Sequence, residues 1–280
     1  MFRLIKYRLS AAVAFSAAAG YILYEKSGSI TSFILTVTGV FILSGGSAAL
    51  NQYQERHTDA LMQRTKKRPL PAHEIRSRVA LMFSVALIIS GTIIIVAGSR
   101  WLPGLLGLLN VVLYNLIYTN LKSRTSFAVV PGALVGAVAP LIGFTAAGGS
   151  PLAPQALFIA GFMFMWQLPH FWLLLSINRR DYEKAGFAAL VKTPGVNDIR
   201  VIIPAWIVIT SIMLLLIREF GILIGQPLWF VLAGVNITVC ALFLLILPKE
   251  EPAVSEKRSF AVLNGYAFVV LTILALTALT

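Results

Sequence analysis

Charge is scarce in this chain, and acidic charge scarcest. Only 12% of its 280 residues are charged, 23 of them Lys or Arg and 11 Asp or Glu, against the roughly 25% usual for soluble domains. With 58% of the residues hydrophobic, a water-soluble globule of this size is excluded. Cysteine is nearly absent: the single Cys240 lies inside an apolar run, which excludes a disulfide scaffold and marks the thiol as packing. A formal net charge of +12 would suggest nucleic acid in a soluble protein. Here no nucleic-acid partner is expected, because basic residues instead sort a chain's orientation across a bilayer.

What the chain has is long apolar runs. Nine stretches, near 9–24, 30–50, 79–98, 101–120, 126–146, 155–177, 201–217, 227–247 and 260–280, approach the roughly 20 residues a helix needs to span hydrocarbon. They predict one all-α, polytopic membrane domain over 1–280. The first run is expected to stay as a helix, since no convincing cleavage site follows it near Tyr21. Alternate numbering of the loops puts 20 basic residues on one side, and only Lys26, Arg100 and Arg218 on the other. That bias places the N-terminus inside and the C-terminus outside.

Six of the 11 acidic residues (Glu55, Asp59, Glu74, Asp181, Glu183, Asp198) fall in or beside the second and sixth inside loops, which are also the most basic. Asn51, Glu55 and Asp59 recur every four residues. On a continued second helix they share one face, drifting about 40° per step. Three oxygen-bearing side chains pointing one way suit Mg²⁺, which takes hard oxygen ligands and bridges carboxylates to substrate phosphates. Arg64, Lys66, Lys67 and Arg68 follow at once, suited to phosphate oxygens. The alternative is a helix end with surface charge pairs ahead of a basic loop. Asn51 weighs against it, being a polar group at the lip of an apolar helix. His57 lies on another face and reads as a surface residue or one standing behind the ligands, rather than as a metal ligand.

The run Asn51-Gln52-x-x-Glu55-x-x-x-Asp59-x-x-Met62-x-Arg64-Thr65-x-x-Arg68-Pro69-Leu70 resembles the first signature of the UbiA superfamily of intramembrane prenyltransferases, whose general form is N-x-x-x-D-x-x-x-D. Its Arg-Thr-x-x-Arg-Pro ending is similar to the haem-farnesylating branch. Glu55 replaces the commoner Asp, which keeps the carboxylate and moves it by one methylene.

Further on, Trp166-Gln-Leu-Pro-His170 precedes Asn178-Arg-Arg-Asp181-Tyr182-Glu-Lys-Ala185-Gly186. A histidine directly after an intrahelical proline sits where the backbone ladder is broken, and an ionisable group at that depth needs a partner. Neutral imidazole is a common haem-iron ligand; a satisfied core histidine is the alternative. Asp181 is the natural second carboxylate for metal or diphosphate, with Arg179 or Arg180 as a neutralising neighbour. Because Ala185 stands at i+4, the second half lacks a paired carboxylate, as in the haem-type signature Asp-Tyr-x-x-Ala-Gly. The chain then departs from that branch: Phe187-Ala188-Ala189-Leu190-Val191 stands where Pro-Met-Leu-Pro is usual. A third patch, Tyr118-Thr119-Asn120-Leu121-Lys122-x-Arg124-Thr125, followed by Gly132 and Gly136, is also similar to that branch. Those glycines are read as close-packing positions.

The resemblance implies nine helices bundled around a central cavity in the inner membrane. It implies Mg²⁺ as cofactor, farnesyl diphosphate as donor and a vinyl group of haem b as acceptor, giving haem O. Asn51, Glu55, Asp59 and Asp181 would bind the metal, and Arg64, Lys67, Arg68, Lys122, Arg124 and Arg180 the diphosphate. His170 would meet haem, and Tyr118 and Tyr182 would lie beside the site. Tyr53, Phe171 and Trp172 are further candidates for stabilising an allylic cation. Two other readings stay open: an aromatic quinone precursor as acceptor, and a secondary transporter, whose polar groups should lie at mid-span rather than at one face.

Overall fold

The computed structural model describes residues 1–24, 29–187, 196–246 and 252–278. All regular structure among them is helical. The main helices are α1 (Tyr7–Tyr24), α2 (Ile30–Gln54), α3 (Arg56–Leu61), α4 (Ser77–Gly98) and α5 (Trp101–Leu121), then α6 (Val129–Ala146), α7 (Pro154–Ile177), α8 (Arg179–Lys184), α9 (Val196–Leu215), α10 (Gln226–Ala241) and α11 (Pro252–Thr277). Seven are long and apolar enough to cross a membrane. The expectation of nine spans is therefore met at seven positions. At the other two the helices exist but are weaker: α1 is less apolar, its middle being alanine and serine, and the apolar part of α9 is the short Val201–Leu215.

In lipid there is little hydrophobic drive between helices, so close backbone approach and hydrogen bonds hold them together. Gly91 of α4 meets the backbone of Leu43 on α2 so closely that a Cβ would collide, and Gly143 of α6 does the same at the Ala17 carbonyl of α1. Pro169 removes the amide that would have bonded the Met165 carbonyl. The indole of Trp206, from α9, donates to that carbonyl at 2.7 Å. Trp166 likewise donates to the Leu263 carbonyl of α11 at 2.7 Å. Phe158, Phe162, Ile207, Leu232, Leu263 and Val270 fill the core between α7 and the last three helices. Cys240 is a free thiol there, 3.3 Å from Ser211 Oγ.

Two local features shape the site. α2 stops at Gln54 and turns at Glu55 (φ −96°, ψ 8°) before α3, so the expected continuous helix is broken in the middle of the acidic motif. α5 widens to π-helix over Val112–Tyr118. A π stretch re-aims side chains, and here it carries Tyr114 and Tyr118, both in the cavity wall.

Candidate active site

The end of α2 is keyed to α5 by buried amides. Asn115 accepts from Ser47 Oγ at 2.6 Å and donates to Gln54 Oε1 at 3.1 Å, while Gln54 returns a bond to the Asn115 carbonyl at 3.0 Å. One turn on, Asn51 Nδ2 donates to Thr119 Oγ1 at 3.2 Å. The turn bearing the acidic motif is thus fixed against the π stretch. Despite the break at Glu55, Asn51, Glu55 and Asp59 are all buried and all line one cavity.

Each of the three oxygen-bearing groups is covered by its own cation. Lys6 Nζ donates to Asn51 Oδ1 at 3.0 Å, Lys122 pairs with Glu55, and Arg68 Nη1 lies 2.7 Å from Asp59 Oδ2. Arg64 adds a fourth cation to the wall. Four cations against two carboxylates leave a surplus of positive charge, which suits an anion. Burial, and after it the Arg68 guanidinium, pull the Lys6 ammonium down to about 7, with Glu55 pulling back.

Lys6 is a residue the sequence reading missed. Its backbone is left-handed (φ 46°), a conformation that costs a non-glycine residue free energy and must be held by its surroundings. The hold is tertiary. Buried Gln52 donates to the carbonyls of Arg3 and Leu4 at 3.0 and 2.8 Å, Leu4 packs with Ala49 and Leu70, and Arg3 bonds Glu74 at 3.0 Å. The first six residues are thereby strapped over the second loop.

The cavity measures about 350 Å³. Above its charged rim stand Tyr114, Tyr118, Phe171 and Tyr182, and deeper the wall is Val40, Leu43, Val111 and Ile142. Lys122 also lies over the Tyr118 ring at 5.5 Å. His170 is in the wall, between Trp166 and Phe260 with both centroids at 4.8 Å, and its Nδ1 is buried without a hydrogen-bond partner. Gly132 and Gly136 differ from their expected role. A Cβ on Gly132 would strike the Phe171 ring, and one on Gly136 the Gln167 amide, so these glycines admit cavity-lining side chains rather than a neighbouring backbone.

Among the expected residues, Asn51, Glu55, Asp59, Arg64, Arg68, Tyr118, Lys122, His170 and Tyr182 meet in this wall, and Phe171 with them. Others do not. Asp181 is turned away: its carboxylate accepts the backbone amides of Gln63 and Arg64 at 3.2 and 3.0 Å, fastening the sixth loop to the second. Lys67, Arg124 and Arg180 are exposed outside the wall. Tyr53 lies under Arg56 and Trp172 packs on Trp206. His57 is exposed, as expected. Of the Phe187–Val191 departure only Phe187 is described; it is buried against Tyr182 at 5.8 Å, and 188–191 lie outside the described residues.

Among the described residues no three His, Cys, Asp or Glu side chains cluster as a full metal cage. A divalent ion at the rim would draw on two carboxylates and the Asn51 amide oxygen, and complete its shell with water or phosphate oxygens, as Mg²⁺ does. The residues fit such an ion: Asp59 Oδ1 is buried and has no hydrogen-bond partner.

Comparison with known proteins agrees with this architecture. The model of the UbiA prenyltransferase family matches residues 12–272. The chain is 36% identical to a protoheme IX farnesyltransferase of Geobacter sulfurreducens, over 94% of this chain and 93% of that protein. In fold it is similar to a digeranylgeranylglyceryl phosphate synthase (TM-score 0.77, 16% identity, 99% of this chain and 97% of that one). It is also similar to a UbiA homologue from Archaeoglobus fulgidus bound to DMAPP and Mg²⁺ (TM-score 0.68, 16% identity, 97% and 98% of the two chains). The chain is a multi-pass membrane protein and a member of the UbiA prenyltransferase family.

Proposed function

We propose that this protein transfers the farnesyl group of farnesyl diphosphate to a vinyl group of haem b, yielding haem O, in the inner membrane with its N-terminus in the cytoplasm. The observation that carries the reading is the one-to-one pairing of Asn51, Glu55 and Asp59 with Lys6, Lys122 and Arg68 at the mouth of an aromatic and aliphatic cavity. The name of the 36% identical relative supports haem as acceptor.

Mg²⁺ held by Asn51, Glu55 and Asp59 would screen the charge that builds on the leaving diphosphate. Lys6, Arg68 and Lys122 exchange their bonds to the protein's own oxygens for bonds to phosphate, and the Arg64 guanidinium in the wall joins them. Asp181 holds Arg64 in place through the backbone. As the allylic C–O bond breaks, the faces of Tyr114, Tyr118, Phe171 and Tyr182 stabilise the cation, and the aliphatic wall keeps water from it. His170, whose Nδ1 has no hydrogen-bond partner, would ligate the haem iron and hold the vinyl group toward the allylic carbon; as the new C–C bond forms there, the cation left on the vinyl's inner carbon takes up water and releases a proton, giving the hydroxyl of haem O.

The test is the product mass from purified protein in lipid nanodiscs supplied with farnesyl diphosphate, Mg²⁺ and haem b. Farnesylated haem is expected. Prenylation of a hydroxybenzoate or naphthoate, with haem b left unchanged, would overturn the assignment of the acceptor.

A further inference from the structure

About half a bilayer below the charged rim, the cavity wall holds two carboxamides that the chemistry above does not use. Asn110 lies eleven residues before the end of α5 at Leu121, and Gln167 ten before the end of α7 at Ile177. At 1.5 Å per residue both sit about 15 Å from those helix ends, at matching depth in the wall of the same cavity. Neither forms a hydrogen bond among the described residues, and Asn110 Oδ1 and Gln167 Oε1 are buried and unpartnered. An unpaired amide in so apolar a place costs free energy unless a ligand satisfies it. An isoprenoid tail has no group that could. Room has also been made for one of them, since Gly136 leaves the space across which the Gln167 amide lies, with an added Cβ falling 2.9 Å from Gln167 Cδ.

We propose that Asn110 and Gln167 form an acceptor-recognition subsite whose buried carbonyl oxygens accept the O–H of a protonated carboxyl of the acceptor, their N–H groups donating to its other oxygen. This rests on haem b being the acceptor. When one vinyl group faces the allylic carbon at the rim, the propionates lie on the opposite edge of the macrocycle, directed to the depth of these amides. They are the porphyrin's only peripheral hydrogen-bonding groups. Gln167 stands one helical turn before His170, so the same face of α7 addresses both the iron and the ring's edge.

The test compares transfer to haem b with transfer to a divinyl haem whose propionates are replaced by propyl groups, in wild type, Asn110→Leu, Gln167→Leu and Gly136→Ala. The wild type is expected to prefer haem b at least about tenfold, and the three variants to lose that preference. Leucine removes an unpaired dipole, so the Tm of the two leucine variants should not fall. Gly136→Ala displaces Gln167 without changing it, which gives a second route to the same loss. An acid-to-propyl rate ratio equal to wild type in all three variants, or no preference in the wild type, overturns the subsite alone. Failure of the wild type to modify haem b overturns the proposed function and the subsite with it.

Discussion

Arg68 Nη1 lies 2.7 Å from Asp59 Oδ2, while the other oxygen of the same carboxylate, Oδ1, is buried and bonded to nothing. A carboxylate satisfied on one side by a cation and open on the other is prepared for a second positive partner. Breaking such a buried pair strands a charge. Arg68→Met should therefore lower the stability of the metal-free protein by about 3 kcal/mol, and the double variant with Asp59→Asn should recover most of the loss. Thermal unfolding in detergent measures both; equal Tm values for wild type and Arg68→Met would show that the pair is not holding the loop.

Asp59→Asn and Glu55→Gln keep shape and remove charge. Each should reduce transfer at least about 100-fold, the scale seen when a group stabilising transition-state charge is lost, while the protein remains folded in the membrane. Initial rates at saturating substrate are the check.

Lys6 is held in a left-handed conformation to reach Asn51. Lys6→Met should raise the KM for farnesyl diphosphate about tenfold, the equivalent of one charge-assisted hydrogen bond, and change the KM for haem little. A loss confined to haem would place this ammonium on the wrong substrate.

Asp181 acts through the loop. Asp181→Asn keeps one acceptor oxygen for the Gln63 and Arg64 amides and should retain part of the activity, whereas Asp181→Ala removes both, frees the loop, speeds proteolysis near 62–68 and raises the KM for the diphosphate. If both variants are equally dead with the loop still protected, Asp181 binds metal directly.

Phe171→Ala opens the aromatic wall beside Gly132. More farnesol per farnesylated haem is expected, because water then reaches the cation.

Much of this was legible in the residues. Apolar runs located the spans, and the 51, 55, 59 spacing found the buried acceptors, because helical periodicity survives even a break at Glu55. What stayed hidden depends on distant partners. Lys6 enters the cavity only because Gln52 and Leu4 hold the preceding backbone. Asp181 turns outward because the amides of Gln63 and Arg64 are unpaired and near. The π stretch that aims Tyr114 has no periodic signature, and the glycines at 132 and 136 read as helix contacts until the Phe171 ring and the Gln167 amide are seen filling their space.

The most direct test of the rim is calorimetric binding of a non-hydrolysable farnesyl diphosphate analogue to the wild type and to the Glu55→Gln/Asp59→Asn variant, each with and without Mg²⁺. The wild type should bind at least about tenfold more tightly with Mg²⁺, and the variant should show no such gain. Equal Mg²⁺ dependence in both would contradict a metal–diphosphate site built on these carboxylates.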